Sequence, residues 1–148
     1  IPVDRPRPVV KSYEGDRVGF SVGEGVLAGL RRVAREESTT LFTVLAAAYA
    51  LVLGRAAGQD RLILGTPSTN RNSHELEGVI GNFLDLLPIP VDAGGSTLRG
   101  LVQQVRAEFL RAHELTGVSF RQLVDGLGVG RDLSTSPLVQ AVLALQSV

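Results

Sequence analysis

An α/β fold, with helices packed on a sheet, is predicted by two features of this sequence. Short apolar runs of strand length, Leu62–Leu64 and Leu84–Val91, alternate along the chain with stretches whose apolar residues recur at helical spacing. The 148 residues, 44% hydrophobic and 20% charged, are enough for one domain or lobe to bury a core of its own.

At the N-terminus Pro2, Pro6 and Pro8 remove backbone donors and hold their predecessors extended, so residues 1–8 are expected to form a linker or an edge segment. Val18, Phe20 and Val22 alternate with Arg17, Gly19 and Ser21, the period of a half-buried strand. Val26, Leu27, Leu30, Val33 and Ala34 then fall at helical spacing, with Arg31, Arg32 and Arg35 on the other side, which predicts an amphipathic helix. Thr39 or Thr40 can cap the next segment, Leu41 to Ala57, which is apolar nearly all round and is expected to be the buried central helix. The run Leu62–Leu64 lies between Asp60-Arg61 and Gly65-Thr66-Pro67 and predicts a fully buried strand.

Polar residues dominate from Ser68 to Gly78, which reads as a long loop of the kind that carries function or an interface. Leu84 to Val91 is extended, but Pro88 and Pro90 each delete a ladder donor and assign it to an edge or an irregular crossing strand. After a turn over residues 92–96, Leu98, Leu101, Val102, Val105 and Phe109 make a helical stripe. Phe120, Leu123, Val124 and Leu127 start a shorter one, closed by Gly126, Gly128 and Gly130. The final run, Leu138 to Leu145, has the length and composition of a buried strand, its alanines leaving a helix as the alternative.

Several chemistries are excluded by composition. Zero cysteines remove disulfides, thiolate metal sites and a cysteine nucleophile, and 15 basic residues against 15 acidic ones leave no electrostatic footprint for nucleic acid. The absence of cysteine fits a cytoplasmic setting. The longest apolar stretch, Leu41 to Leu53, is too short to cross a bilayer. His74 and His113 are the only imidazoles and form no spaced metal pair. His74, beside Glu75 in the polar loop, reads as a solvated surface residue, and His113, near a helix end, as a capping or dipole-compensating one. Glu75 and Glu77 read as hydrated loop acids. Neither a Gly-x-Ser-x-Gly elbow nor a phosphate-binding glycine loop is present. A chain that starts at Ile1 and contains no methionine is expected to have been cut from a larger one.

A set of segments in fixed order resembles the condensation domains of nonribosomal peptide synthetases. Ile1-Pro-Val-Asp-Arg-Pro-Arg-Pro8 is similar to the segment leading into the second lobe of that family, and Thr40-Leu-Phe42 with Ala46-Ala-Ala-Tyr-Ala50 to its long buried helix. Gly58-Gln-Asp60, Leu62-Ile-Leu-Gly-Thr-Pro67 and Asn70-Arg71 continue the likeness. Ile80-Gly-Asn-Phe-Leu-Asp-Leu-Leu-Pro88 resembles the pattern Ile-Gly-x-Phe-Val-Asn-Thr-Leu-Pro, and Arg131-Asp-Leu-Ser-Thr-Ser-Pro-Leu138 resembles Arg-Asp-x-Ser-Arg-Asn-Pro-Leu. The chain departs from these patterns at Asp85 and Leu86 (Asn and Thr in the family), at Thr135 and Ser136 (Arg and Asn), and at Ser119 and Arg121 (Pro and Glu).

The resemblance implies a chloramphenicol-acetyltransferase-like α/β lobe with helices on a mixed sheet, residues 1–148 forming a partial C-terminal lobe and 1–8 the inter-lobe linker. In such a parent, two lobes form a V around a tunnel. Phosphopantetheine arms of peptidyl carrier proteins enter it from opposite faces, presenting a donor acyl group and an acceptor amine for amide-bond formation. The family's catalytic His-His-x-x-x-Asp-Gly lies in the first lobe and is absent from this sequence. The chain alone is therefore expected to bind no cofactor, to lack a catalytic residue and to be inactive. Its motif residues Gly81, Phe83, Arg131, Asp132, Ser134 and Pro137 are expected to be structural, Gly81 permitting a tight turn, Phe83 filling core and the others fixing a turn. Residues 68–78 resemble part of the floor-loop region that bridges toward the other lobe, and are expected to be mobile or held by a neighbour. The expected partners are the N-terminal lobe, carrier proteins and a second copy of the chain, through Leu138–Leu145 or Leu84–Val91, with no membrane and no nucleic acid among them. Rival readings are an epimerization, cyclization or other acyltransferase domain of the same superfamily, and a stand-alone carrier-protein-binding module.

Overall fold

A computed structural model describes residues 1–69, 74–76, 78–115, 117–130 and 132–146. Helix α1 (Glu24–Glu36) and helix α2 (Leu41–Ala57) are followed by β1 (Arg61–Thr69), a single 3-10 turn (His74–Leu76) and β2 (Leu84–Asp92). Helices α3 (Leu98–Glu114) and α4 (Phe120–Gly126) and the short β3 (Ala141–Val142) complete the order. The α/β architecture expected from the sequence is the one observed.

The central strand is β1, which pairs antiparallel with β2 and parallel with β3, giving a mixed sheet of order β2-β1-β3. Leu64 lies opposite Ile89 on one side and Ala141 on the other. The apolar run Leu62–Leu64 therefore belongs to the strand with neighbours on both sides. Pro88 and Pro90 fall on β2, at the edge, where a missing N–H leaves no ladder partner unsatisfied.

The core forms where α2 and α3 cover one face of this sheet. Leu64 is 1% exposed, and it clusters with Ile89, Val91, Leu101, Val102 and Val105 and with the alanines of α2. Ala46, Ala47 and Ala50 are fully buried, and their small side chains let the α2 backbone approach its neighbours closely. That explains an apolar surface nearly all round this helix, with α1 packed on its outer side. Thr40 caps α2, its hydroxyl accepting from the Thr43 N–H at 3.2 Å. Gly58 ends the helix at φ +62°, a left-handed conformation that favours glycine.

A polar clamp ties α1 to α3. The Arg99 guanidinium donates to Glu36 and to Glu37 at 2.7 Å each, and the Gln103 amide donates to the Glu37 carboxylate at 2.7 Å and to its backbone carbonyl at 3.1 Å. Arg99 is well exposed, so the clamp fixes orientation and contributes on the order of 1 kcal/mol at most.

The structure corrects three local expectations. Residues 17–22 form no strand, and Val18 and Phe20 are 91% and 86% exposed. The alternation is real, but among the described residues no strand lies beside it, and a lone strand leaves its backbone groups unpaired. The run Leu138–Leu145 supplies a strand only at Ala141–Val142. Leu138 sits at φ +57° and the Val139 N–H donates to the Pro137 carbonyl, so the entry to this run is a turn. Ser68 and Thr69, assigned to the polar loop, instead complete β1 opposite Asp85 and Leu84. Of that loop, residues 70–73 and 77 lie outside the described residues.

Candidate functional site

The two segments that carry the family patterns converge on Gly65, in the middle of β1. A Cβ at this position would stand 2.6 Å from Cγ1 of Val139 and 2.9 Å from Cδ1 of Leu86. Leu86 belongs to the segment that starts at Ile80, and Val139 directly follows the turn after Arg131. Only a residue without a side chain lets both close over the strand, a close approach that explains glycine at this point of Leu64-Gly65-Thr66. This face is opposite to the Leu64 face, and it is where α4 rests on β2, Phe120 and Leu123 facing Leu86 and Pro88.

Between α4 and β3 the chain makes the turn at residues 132–137. The Asp132 carboxylate accepts the Ser134 N–H at 2.8 Å and the Thr135 hydroxyl at 3.3 Å, and the Asp132 N–H donates to the Gly130 carbonyl at 3.0 Å. Asp and Ser at this spacing build such a turn from local bonds. The bonds from Ser134 hold the Asp132 carboxyl below the ordinary carboxylate range against the opposing effect of desolvation, with the Thr135 bond and the charge of Arg7 adding to them. Because the folded value is depressed, the turn's contribution is fully present above the unfolded pKa and is lost as pH falls through the folded one. A carbon-detected NMR titration should find the Asp132 midpoint below the unperturbed value of about 3.9, and a midpoint at or above it would contradict these bonds.

The N-terminal segment lies along the same turn, running the opposite way. The Lys11 N–H donates to the Leu133 carbonyl at 2.9 Å, its ammonium donates to the Ser136 hydroxyl at 3.0 Å, and the terminal amine of Ile1 reaches Gln140 at 3.4 Å. A groove of about 490 Å³ opens between Lys11, Tyr13, Arg121, Val124, Asp132 and Pro137. A second cavity, of about 330 Å³, lies at the end of β1 between Thr66, Ser68, Phe42, Phe109, His113 and Leu145.

The expected site residues fall in different places. Asp132, Ser134 and Pro137 share the turn, while Arg131 lies outside the described residues. Gly81 and Phe83 precede β2, at the far side of the sheet from β3. Gly81 has no positive φ, and its closest neighbour is the Phe83 ring, 3.2 Å from where a Cβ would stand. The chain bends at Gly81 without a left-handed conformation. Phe83 is half-buried and lies outside the main core cluster. His74 and Glu75 are exposed, as expected of loop residues, and Glu77 lies outside the described residues. His113 stacks on Phe109, with ring centroids 6.1 Å apart, and Phe109 meets Phe42 at 5.2 Å. The imidazole therefore extends an aromatic row, and the last turn of α3 is closed by the Leu115 N–H donating to the Arg111 carbonyl. Among the described residues no three His, Cys, Asp or Glu side chains come together as a metal would require. No single helix among them is long and apolar enough to cross a membrane.

Sequence reasoning missed Asp85 and Ser119 as structural residues, noting them only as departures. Ser119 caps α4 in a reciprocal box with Gln122, a Ser-x-x-Gln signature that was legible. The bond from the Phe120 N–H to Asp85, at 3.0 Å, joins positions 35 apart and carried no local signal.

The Condensation domain family model matches residues 1–148. The chain is 39% identical over 146 residues to tyrocidine synthase 3 of Brevibacillus parabrevis, a match covering 98% of this chain and 2% of that protein. It is 36% identical over 149 residues to gramicidin S synthase 2 of Brevibacillus brevis, covering 100% and 3%. The holo form of AB3403, a four-domain nonribosomal peptide synthetase bound to AMP and glycine, superposes with a TM-score of 0.94 at 28% identity over 99% of this chain and 11% of that one. The X-domain from teicoplanin biosynthesis superposes with a TM-score of 0.88 at 25% identity, over 94% and 31%. The chain thus spans a small part of each relative. This chain belongs to the condensation domain family of nonribosomal peptide synthetases.

Proposed function

We propose that residues 1–148 form the greater part of the C-terminal lobe of a condensation domain, joined to an N-terminal lobe through residues 1–8. The parent makes amide bonds between intermediates carried on the phosphopantetheine arms of peptidyl carrier proteins, in a cytoplasmic setting. This lobe shapes and closes the tunnel and supplies no reacting group. The observation that carries the reading is the family-model match over residues 1–148 in a sequence without a His-His-x-x-x-Asp-Gly motif. Gly81, Phe83, Arg131, Asp132, Ser134 and Pro137 act as scaffold, and the hydrogen bonds centred on Asp132 support that role.

A second reading rests on one structural likeness. A solved complex of the X-domain and OxyB from teicoplanin biosynthesis contains a domain that matches this chain with a TM-score of 0.88 at 26% identity. On that reading the lobe serves as a protein-docking surface without condensation chemistry.

Light scattering on the chain, with and without the separately produced N-terminal lobe of its parent, tests the first reading. Val142 and Leu145 are half-exposed beside the two-residue β3, so the chain alone should self-associate at high concentration. Added N-terminal lobe should convert it to a one-to-one complex. A chain that stays monomeric and ignores the lobe would overturn the assignment.

A further inference from the structure

Helix α4 has too little of its own to stay folded. It runs for seven residues, Phe120–Gly126, and none of them is buried. It packs on β2, through Phe120 and Leu123 against Leu86 and Pro88. A helix of this length is unstable in isolation, so a tertiary contact must fix it.

The N-terminal donors show which contact does so. The Ser119 N–H donates to Oε1 of Gln122 at 2.9 Å, and the Gln122 N–H donates to the Ser119 hydroxyl at 3.2 Å. The box leaves the Phe120 N–H without a partner inside the helix, and Oδ2 of Asp85 accepts it at 3.0 Å. Oδ1 of the same carboxylate accepts the Leu86 N–H at 2.9 Å. Asp85 thus uses both oxygens as acceptors, with its negative charge at the positive end of the helix.

We propose that Asp85 is a latch, a positioning residue that holds α4 against β2, and that α4 opens as a unit when this latch is released. The family pattern has Asn at this position, and an amide can keep only one of the two bonds the carboxylate accepts. It offers one acceptor oxygen, and its NH₂ group must then face one of the two N–H donors. What the latch positions is one wall of the groove of about 490 Å³: Arg121, Val124 and Asp125 of α4 face Lys11, Asp132 and Pro137 across it. Asp85 therefore sets the width of a groove to which it contributes no atom.

Amide hydrogen exchange on the whole chain, followed by NMR, tests this with Asp85→Asn, which preserves shape, and Asp85→Ala. Both variants should lower protection across Phe120–Gly126 by about tenfold, the scale of one charge-assisted hydrogen bond. The Phe120 amide resonance should move, while Leu64 and Val102 in the core keep their protection. Unchanged protection of α4 in Asp85→Asn would overturn the proposal. So would an equal loss at Leu64 and Val102, because Asp85 would then stabilise the whole domain and latch nothing in particular.

Discussion

Leu101→Ala should lower the stability of this domain by about 2–5 kcal/mol, the range for truncating a buried leucine whose surroundings cannot collapse. Leu101 of α3 is 1% exposed within the core cluster that holds Leu64 and Ile89, and Val102 and Val105 beside it are fully buried. The cavity would open where α3, α2 and β2 meet, the contacts that hold the helical layer on the sheet. A domain of this size has a net stability of about 5–15 kcal/mol, so the loss is a large fraction of the whole. Urea unfolding followed by circular dichroism should show the midpoint fall with little change in slope. A loss below about 1 kcal/mol would mean that α3 is not packed as described.

Gly65→Ala should cost about 1–3 kcal/mol by the opposite mechanism, overpacking. The added methyl would meet Val139 at 2.6 Å and Leu86 at 2.9 Å, and the two side chains come from segments on opposite sides of β1. One of them must move, and either movement displaces a motif-bearing segment. The chemical shifts of residues 84–88 and 138–142 should change together. Gly19→Ala is the control, since nothing lies within 4 Å of the added methyl there. Equal behaviour of the two variants would remove Gly65 as the meeting point of the motifs.

The inner layers were legible in the sequence because their signals are local. The helix Leu41–Ala57 followed from a threonine cap and an apolar surface nearly all round, and Pro88 and Pro90 pointed to an edge or an irregular crossing strand for β2, which lies at the edge. The strand expected at Val18, Phe20 and Val22 failed because alternation shows that a segment could pair and says nothing of whether a neighbour is present. The last run was over-extended for a related reason. Composition favoured a strand through Leu145, while the entry turn at Pro137 and Leu138 and the exposed Val142 limit it to Ala141–Val142.

At the candidate site the turn centred on Asp132 was readable, since Asp, Ser and Pro at those spacings bond to their own backbone. Asp85 was not. Its partner is the backbone N–H of Phe120, and a backbone donor leaves no mark on residue identity. The role of Gly65 was hidden in the same way, in side chains that arrive from two other segments.

The central claim is that this lobe belongs to an amide-forming domain whose reacting histidine lies elsewhere. Its most direct test is to supply the chain with a donor and an acceptor carrier protein, each loaded with an aminoacyl group, and to measure dipeptidyl product by mass spectrometry. Neither exposed His74 nor ring-stacked His113 stands in a His-His-x-x-x-Asp-Gly motif. Product at no more than the uncatalysed rate is expected from the chain alone, and product above it once the N-terminal lobe is added. Turnover by the chain alone would contradict the claim.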